Sequence, residues 1–131
     1  MASTLINERT GAAVATAVEV AETRASRRQG LLGRNTLAPS AGLMLTPCMA
    51  VHTAFMRFAI DVIFVDREGR AVQIVADLRP WRAAVSMWAR AVIELPGGTA
   101  AARGIRLGDR LFLAPPPVAD APFPAAPQPP C

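Results

Sequence analysis

Lysine and tyrosine are missing from this chain: all fourteen basic side chains are arginine, and aromatic residues make up 5% of its 131 positions. Arginine without lysine, beside heavy alanine and proline usage, follows from a GC-rich coding sequence whatever the function. The net charge of +4 and the pI near 10.9 therefore give no independent argument for a polyanion partner. With few aromatic stacking groups and no reading motif, nucleic-acid binding is not expected. Cysteine is scarce as well. Cys48 and Cys131 make no CxxC pair, so neither a zinc set nor a disulfide framework is expected, and both are read as thiols. Residues 1–11 hold Asn7, Glu8 and Arg9 and no long apolar run, so neither a secretory signal nor a membrane span is expected in the chain as given. The residues point to a cytoplasmic protein; a leader removed beforehand would leave no trace in them.

What is present is largely apolar. Hydrophobic residues make up 52% of the chain, charged residues 18%, and the mean hydropathy is +0.29, which excludes disorder as the main reading. At this length about two thirds of the unfolded surface can be buried, enough for one core and too little for two. The expected organisation is a lead-in over 1–12, a single domain over 13–113 and a tail over 114–131. Eight of the last seventeen residues are proline, so the tail reads as an extended or disordered terminus, with a tether or docking peptide as the functional alternative.

Residues 13–20 alternate as Ala-Val-Ala-Thr-Ala-Val-Glu-Val, a strand pattern that places Val14, Thr16, Val18 and Val20 on one face. Thr23 can cap a short helix running to Leu32, on which Arg24, Arg27 and Arg28 share a face best read as solvated. Segments 42–47 and 51–58 read as strands. The stretch from Asp61 to Asp77 has the form of strand, turn and strand, with the turn at Arg67-Glu-Gly-Arg70 and an interior strand marked by the continuous apolar run Val62 to Val65. Arg79-Pro-Trp-Arg82 reads as a loop in which the Trp81 indole stacks with a guanidinium. Further strands are expected over 89–95 and 107–113, with one helical turn capped by Thr99 between them. Six to seven short strands with one or two short helices define a β-rich α+β fold, a small partly closed barrel or curled sheet.

Candidate chemical groups are few. Cys48 and His52 invite a nucleophile-and-base reading, but on one straight strand they would lie about 13 Å apart, so a loop between Pro47 and Val51 would be needed to join them. Asp61 and Glu94 are the acid–base candidates of a hydrolytic site, because burial beside apolar strands raises a carboxyl pKa. The competing reading makes Asp61, Glu94 and Asp109 structural acceptors of backbone N–H groups, or partners of Arg57 or Arg106. One histidine, one nearby cysteine and scattered carboxylates fall short of a structural metal set, so no metal and no other cofactor is expected. Alternation over 51–58 points Met56 to the side of His52 and Arg57 to the other.

The run Pro47-Cys-Met-Ala-Val-His-Thr-Ala-Phe-Met-Arg-Phe-Ala-Ile-Asp-Val-Ile-Phe-Val-Asp66 is followed in order by Gly69-Arg70, Arg79-Pro-Trp-Arg82, Glu94-Leu-Pro-Gly-Gly-Thr-Ala100 and the stretch from Gly104 to Asp109. Gly30-Leu-Leu-Gly-Arg34 and Gly42-Leu-Met44 precede it. These spaced motifs, within residues 13–113, resemble the uncharacterised prokaryotic family known as domain of unknown function 192. The resemblance implies a compact β-rich fold without an assigned reaction, and suggests an envelope, pilus or secretion setting. The chain departs from the family pattern at Ala59, where proline commonly precedes the Ile-Asp pair, and at Gly97, where alanine is more usual. Neither change removes side-chain chemistry. The functional expectation is a non-enzymatic binding or assembly module, with His52, Met56, Arg57 and Trp81 around a groove that engages a protein or small ligand, as a monomer or a homo-oligomer. The alternative is a small hydrolase-like enzyme using His52 with Asp61 or Glu94, or Cys48 as nucleophile.

Overall fold

Residues 2–115 are described by a computed structural model; the proline-rich segment 116–131, with Cys131, lies outside the described residues. The short apolar segments form nine strands, with two short helices between them: β1 (Ser3–Asn7), β2 (Ala13–Ala21), α1 (Arg24–Gln29), β3 (Ala41–Leu45), β4 (Ala50–His52), β5 (Ile60–Val65), β6 (Ala71–Leu78), β7 (Ala83–Val85), β8 (Ala91–Pro96), α2 (Thr99–Ala102) and β9 (Leu111–Ala114). Seven strands make one sheet in the order β6-β5-β8-β3-β2-β1-β9, and β4 pairs with β7 in a separate ribbon. This is the β-rich α+β fold expected from the sequence, realised as a curled sheet. Its edges meet at one end, where Arg70 bridges Arg110, Ala71 N donates to Asp109 O at 2.8 Å and Leu111 N donates to Gly69 O at 2.8 Å. No helix among the described residues is long and apolar enough to cross a membrane.

Period-two alternation divides the apolar side chains between two cores. In β5 all six residues are buried, with Ile63 and Val65 in one cluster and Ile60, Val62 and Phe64 in the other. That confirms the interior strand read from its continuous apolar run, flanked by β6 and β8. The first core collects Leu5, Val18, Ile93, Leu95 and Leu111. The second lies on the opposite face of β5 and β8, and is covered by Leu31, Leu37 and Met56 from the connecting segments and by Val51 from β4.

Three local departures from pattern have physical causes. Residues 3–7, within the expected lead-in, form β1 because that segment pairs with both β2 and β9 and buries Leu5 completely, although five residues are too few for alternation to reveal. In β2, Thr16 and Val20 are exposed instead of facing the core. Thr16 N and Ala17 N both donate to Ser40 O at 2.9 Å and the register with β1 shifts between Ala15 and Val18, a bulge that turns Thr16 outward. Val20 keeps the face of Val18 in unbroken register with β3 and is exposed near the end of the strand. The expected strand over 51–58 ends at His52. Fully buried Thr53 is tied across the chain, its Oγ1 donating to Arg79 O at 2.6 Å and accepting from Arg82 N at 2.8 Å, and Phe55 then turns with φ of 65°.

Candidate functional site

The helix α1 begins with a reciprocal cap. Thr23 Oγ1 accepts the Ser26 amide and Ser26 Oγ accepts the Thr23 amide, each at 3.0 Å, and Gly30 closes the helix. None of its residues is buried, so its position depends on Leu31, 2% exposed in the second core. That anchorage leaves a cavity of 330 Å³ between the helix and the sheet. Arg24, Arg27 and Arg28 stand along one wall, Cys48 and His52 along another, and Leu45, Met56 and Glu94 also line it.

Glu94 is the unusual group in this cavity. Strand alternation places it opposite Val62 and Leu43, on the face of the second core. It is 5% exposed, and its Oε2 has no hydrogen-bond partner. Burial pushes its carboxyl up to about 7, with the Arg34 charge pulling the other way. A buried carboxyl left in this state costs stability unless a donor or a proton occupies it.

The sequence candidates divide into two groups. Cys48, His52, Met56 and Glu94 share the cavity wall, and the required loop between Pro47 and Val51 exists. The Cys48 thiol donates to Ala50 O at 3.1 Å. Asp61, Arg57 and Trp81 lie elsewhere. Asp61 is fully buried and accepts three backbone amides, those of Asp77 at 2.8 Å, Gly98 at 3.1 Å and Ala100 at 2.8 Å, which is the structural role offered against catalysis. Arg57 bonds Asn35 Oδ1, not Asp61. Trp81 packs on Phe55, ring centroids 4.6 Å apart and tilted by 60°, in place of the expected guanidinium stacking. The cation–π contact found among the described residues is instead Arg110 over Phe112 at 5.8 Å. Among those residues no three His, Cys, Asp or Glu side chains converge in a metal-holding group.

The three arginines of α1 are the cavity residues that the solvated-face reading passed over. Their spacing of three and four was visible, but the docking of that face over Glu94 depends on the chain path from Leu31 to Leu45, which no local pattern encodes.

Fold and cavity together define a small curled-sheet domain with an arginine-rimmed, carboxyl-bearing pocket. Residues 5–113 match the family of domain of unknown function 192, described as an uncharacterized ACR, and the chain belongs to that family. A UPF0127 protein of Pyrococcus furiosus is 41% identical over 63 residues, a match covering 47% of this chain and 53% of the relative, so the similarity spans about half the length of that protein. A crystal structure of a protein of unknown function from Novosphingobium aromaticivorans superposes with a TM-score of 0.73 at 27% identity, covering 86% of this chain and 84% of the other. A Sinorhizobium meliloti protein, provisionally described as a transcription regulator, superposes with a TM-score of 0.74 at 26% identity, covering 85% and 91%.

Proposed function

We propose that this domain is a non-enzymatic small-ligand binding module whose site is the cavity between α1 and the sheet. The observation that carries this reading is Glu94, a nearly buried carboxyl in the lining of the 330 Å³ cavity whose Oε2 has no hydrogen-bond partner. Pockets of this kind, at the lower end of the range of about 300–1,000 Å³, combine apolar walls with a few placed polar groups. Leu45, Val51 and Met56 supply the first, and Glu94, His52 and the α1 arginines the second.

A hydrolytic reading draws on the same cavity, since Cys48 and His52 both line it. It is the weaker one, because the Cys48 thiol is spent on the Ala50 carbonyl and a nucleophile needs its proton aimed at a base. Native mass spectrometry of the purified protein, before and after mild denaturation, tests the binding reading. A small molecule released on denaturation, and retained less by Glu94→Gln, is the expected result. A ligand-free spectrum together with turnover of ester or amide probes that depends on Cys48 would overturn it.

A further inference from the structure

We propose that the cavity takes a small zwitterion, with a primary ammonium group on Glu94, a carboxylate at the arginine rim of α1 and an apolar side chain between them. This rests on the cavity being a ligand site, and it specifies the chemistry of the occupant. The first argument is the distribution of charge. Glu94 makes no ion pair or hydrogen bond with any described residue, so the α1 arginines do not neutralise it. A simple anion in the cavity would meet the Glu94 carboxylate, and a simple cation would meet three guanidiniums. A ligand carrying both signs satisfies both ends.

The second argument is which groups are already engaged. Arg27 is held in the frame, donating to Glu22 O at 2.5 Å and Thr46 O at 3.4 Å. Arg24 and Arg28 bond no described residue while lining the cavity. A guanidinium suits a carboxylate through paired N–H donors. At the other end, an ammonium brings three donors to a carboxyl that accepts no hydrogen bond from any described residue. The apolar surface of Leu45, Val51 and Met56 lies in the same space, and 330 Å³ accommodates a molecule of amino-acid size.

The two ends differ in weight. Ion pairs at exposed positions contribute little, whereas a charge-assisted bond to a buried carboxylate contributes much more. Glu94 should therefore decide affinity, with each rim arginine adjusting it.

The test uses the intact protein and the methyl resonance of Met56, assigned with Met56→Leu, as a reporter inside the cavity. Three probes are compared: L-leucine, 3-methylbutylamine, which lacks the carboxylate, and 4-methylpentanoate, which lacks the amine. Leucine is expected to shift the Met56 resonance saturably, with both analogues at least about tenfold weaker. Glu94→Gln should weaken leucine by about tenfold or more, and Arg24→Ala or Arg28→Ala by about two- to threefold each. Unchanged leucine affinity in a Glu94→Gln protein that still melts cooperatively overturns the proposal. If that variant does not fold, the Arg24→Ala/Arg28→Ala double variant carries the test, and unchanged affinity there has the same meaning. Tighter binding of either analogue than of leucine overturns the zwitterion while leaving the cavity a ligand site. Silence of Met56 toward all three overturns it too, and a protein that also purifies without a small molecule takes the cavity reading down with it.

Discussion

Asp61 and Glu94 stand one step apart across the paired strands β5 and β8, Asp61 opposite Leu95 and Glu94 opposite Val62, and so project to opposite faces of the sheet. Both are sealed from solvent, at 0% and 5% exposure. Asp61 points to the side where α2 begins and its two oxygens are met by three amides. Glu94 points to the side of the cavity, and its Oε2 is met by none. One carboxyl ties three backbone amides of the fold together, and the other has an oxygen that no described residue meets.

Asp61→Asn should be a folding lesion. Asp77 N is released from the β5–β6 ladder where the register shifts between Ile60 and Val62, with Asp77 at φ of 53°, and Asp61 Oδ1 receives it. Asp61 Oδ2 receives the Ala100 amide in the first turn of α2. An asparagine would aim its NH₂ at one of these donors and leave buried amides unpaired. The expected loss is about 2–4 kcal/mol by urea unfolding. A change below about 0.5 kcal/mol would mean that these amides find other acceptors.

Glu94 gives stability a pH dependence of the opposite sign to an ion-paired carboxylate. In the unfolded chain its carboxyl titrates near the ordinary value of 4.5, and burial in the folded protein pushes it up to about 7. Below 4.5 it is protonated in both states and burial carries no charge penalty. Between 4.5 and about 7 the unfolded state loses its proton first, so stability falls, and above that the loss levels off. The difference corresponds to about 3 kcal/mol at most. Glu94→Gln should remove this component, so that the variant gains on the parent protein as pH rises from 4 to 8 in thermal melts. A constant difference across that range would place the folded carboxyl in its ordinary range.

Much of the architecture was legible in the residues, and the failures have specific origins. The β5–β6 hairpin, the interior position of β5 and the Thr23 cap followed from local chemistry, because apolar runs, a glycine turn and a capping hydroxyl each act over a few residues. The β1 strand was invisible because its evidence is in its partners, β2 and β9, about ten and a hundred positions away in sequence. The end of β4 at His52 was missed for the same reason, since Thr53 is turned by carbonyls 26 and 29 residues distant. At the site, Cys48, His52, Met56 and Glu94 were named from the sequence and do share a cavity. Arg57 and Trp81, also placed around the expected groove, lie outside it, because the chain turns at Thr53 and Phe55 after β4 and Trp81 packs on Phe55.

Asp109 works in the reverse sense to Glu94. Arg9 Nε donates to its Oδ1 at 2.7 Å, and Arg106 N and Asn7 Nδ2 each donate to its Oδ2 at 2.8 Å, tying the β1–β2 turn to the approach of β9. The Arg9 bond, followed by the Arg106 amide and the Asn7 amide group, holds the carboxyl well below the usual carboxylate range. Its contribution is therefore complete above the unfolded value near 4 and is lost as pH falls below it. Asp109→Ala should cost about 2–3 kcal/mol at pH 7, and the gap to the parent protein should narrow in acid. A gap that stays fixed down to pH 2 would show that packing, not ionisation, is what Asp109 supplies.

Gly69 is where the curl of the sheet becomes testable by one methyl group. Its φ is +83°, and a Cβ there would come within 2.7 Å of Leu111 O, on the strand whose amide bonds Gly69 O at 2.8 Å. Two costs act on Gly69→Ala: the left-handed backbone, about 1–2 kcal/mol, and the forced separation of the 66–70 turn from β9. Gly11, with φ of +70° and nothing within 4 Å of its Cβ position, carries the first cost without the second. The expected result is that Gly69→Ala loses at least about 1 kcal/mol more than Gly11→Ala in chemical denaturation. Hydrogen exchange should locate the extra loss at the Leu111 and Ala71 amides, which join the two edges of the sheet. Equal losses at the two glycines would mean that β9 moves aside at little cost, and that the meeting of the edges contributes shape but little stability.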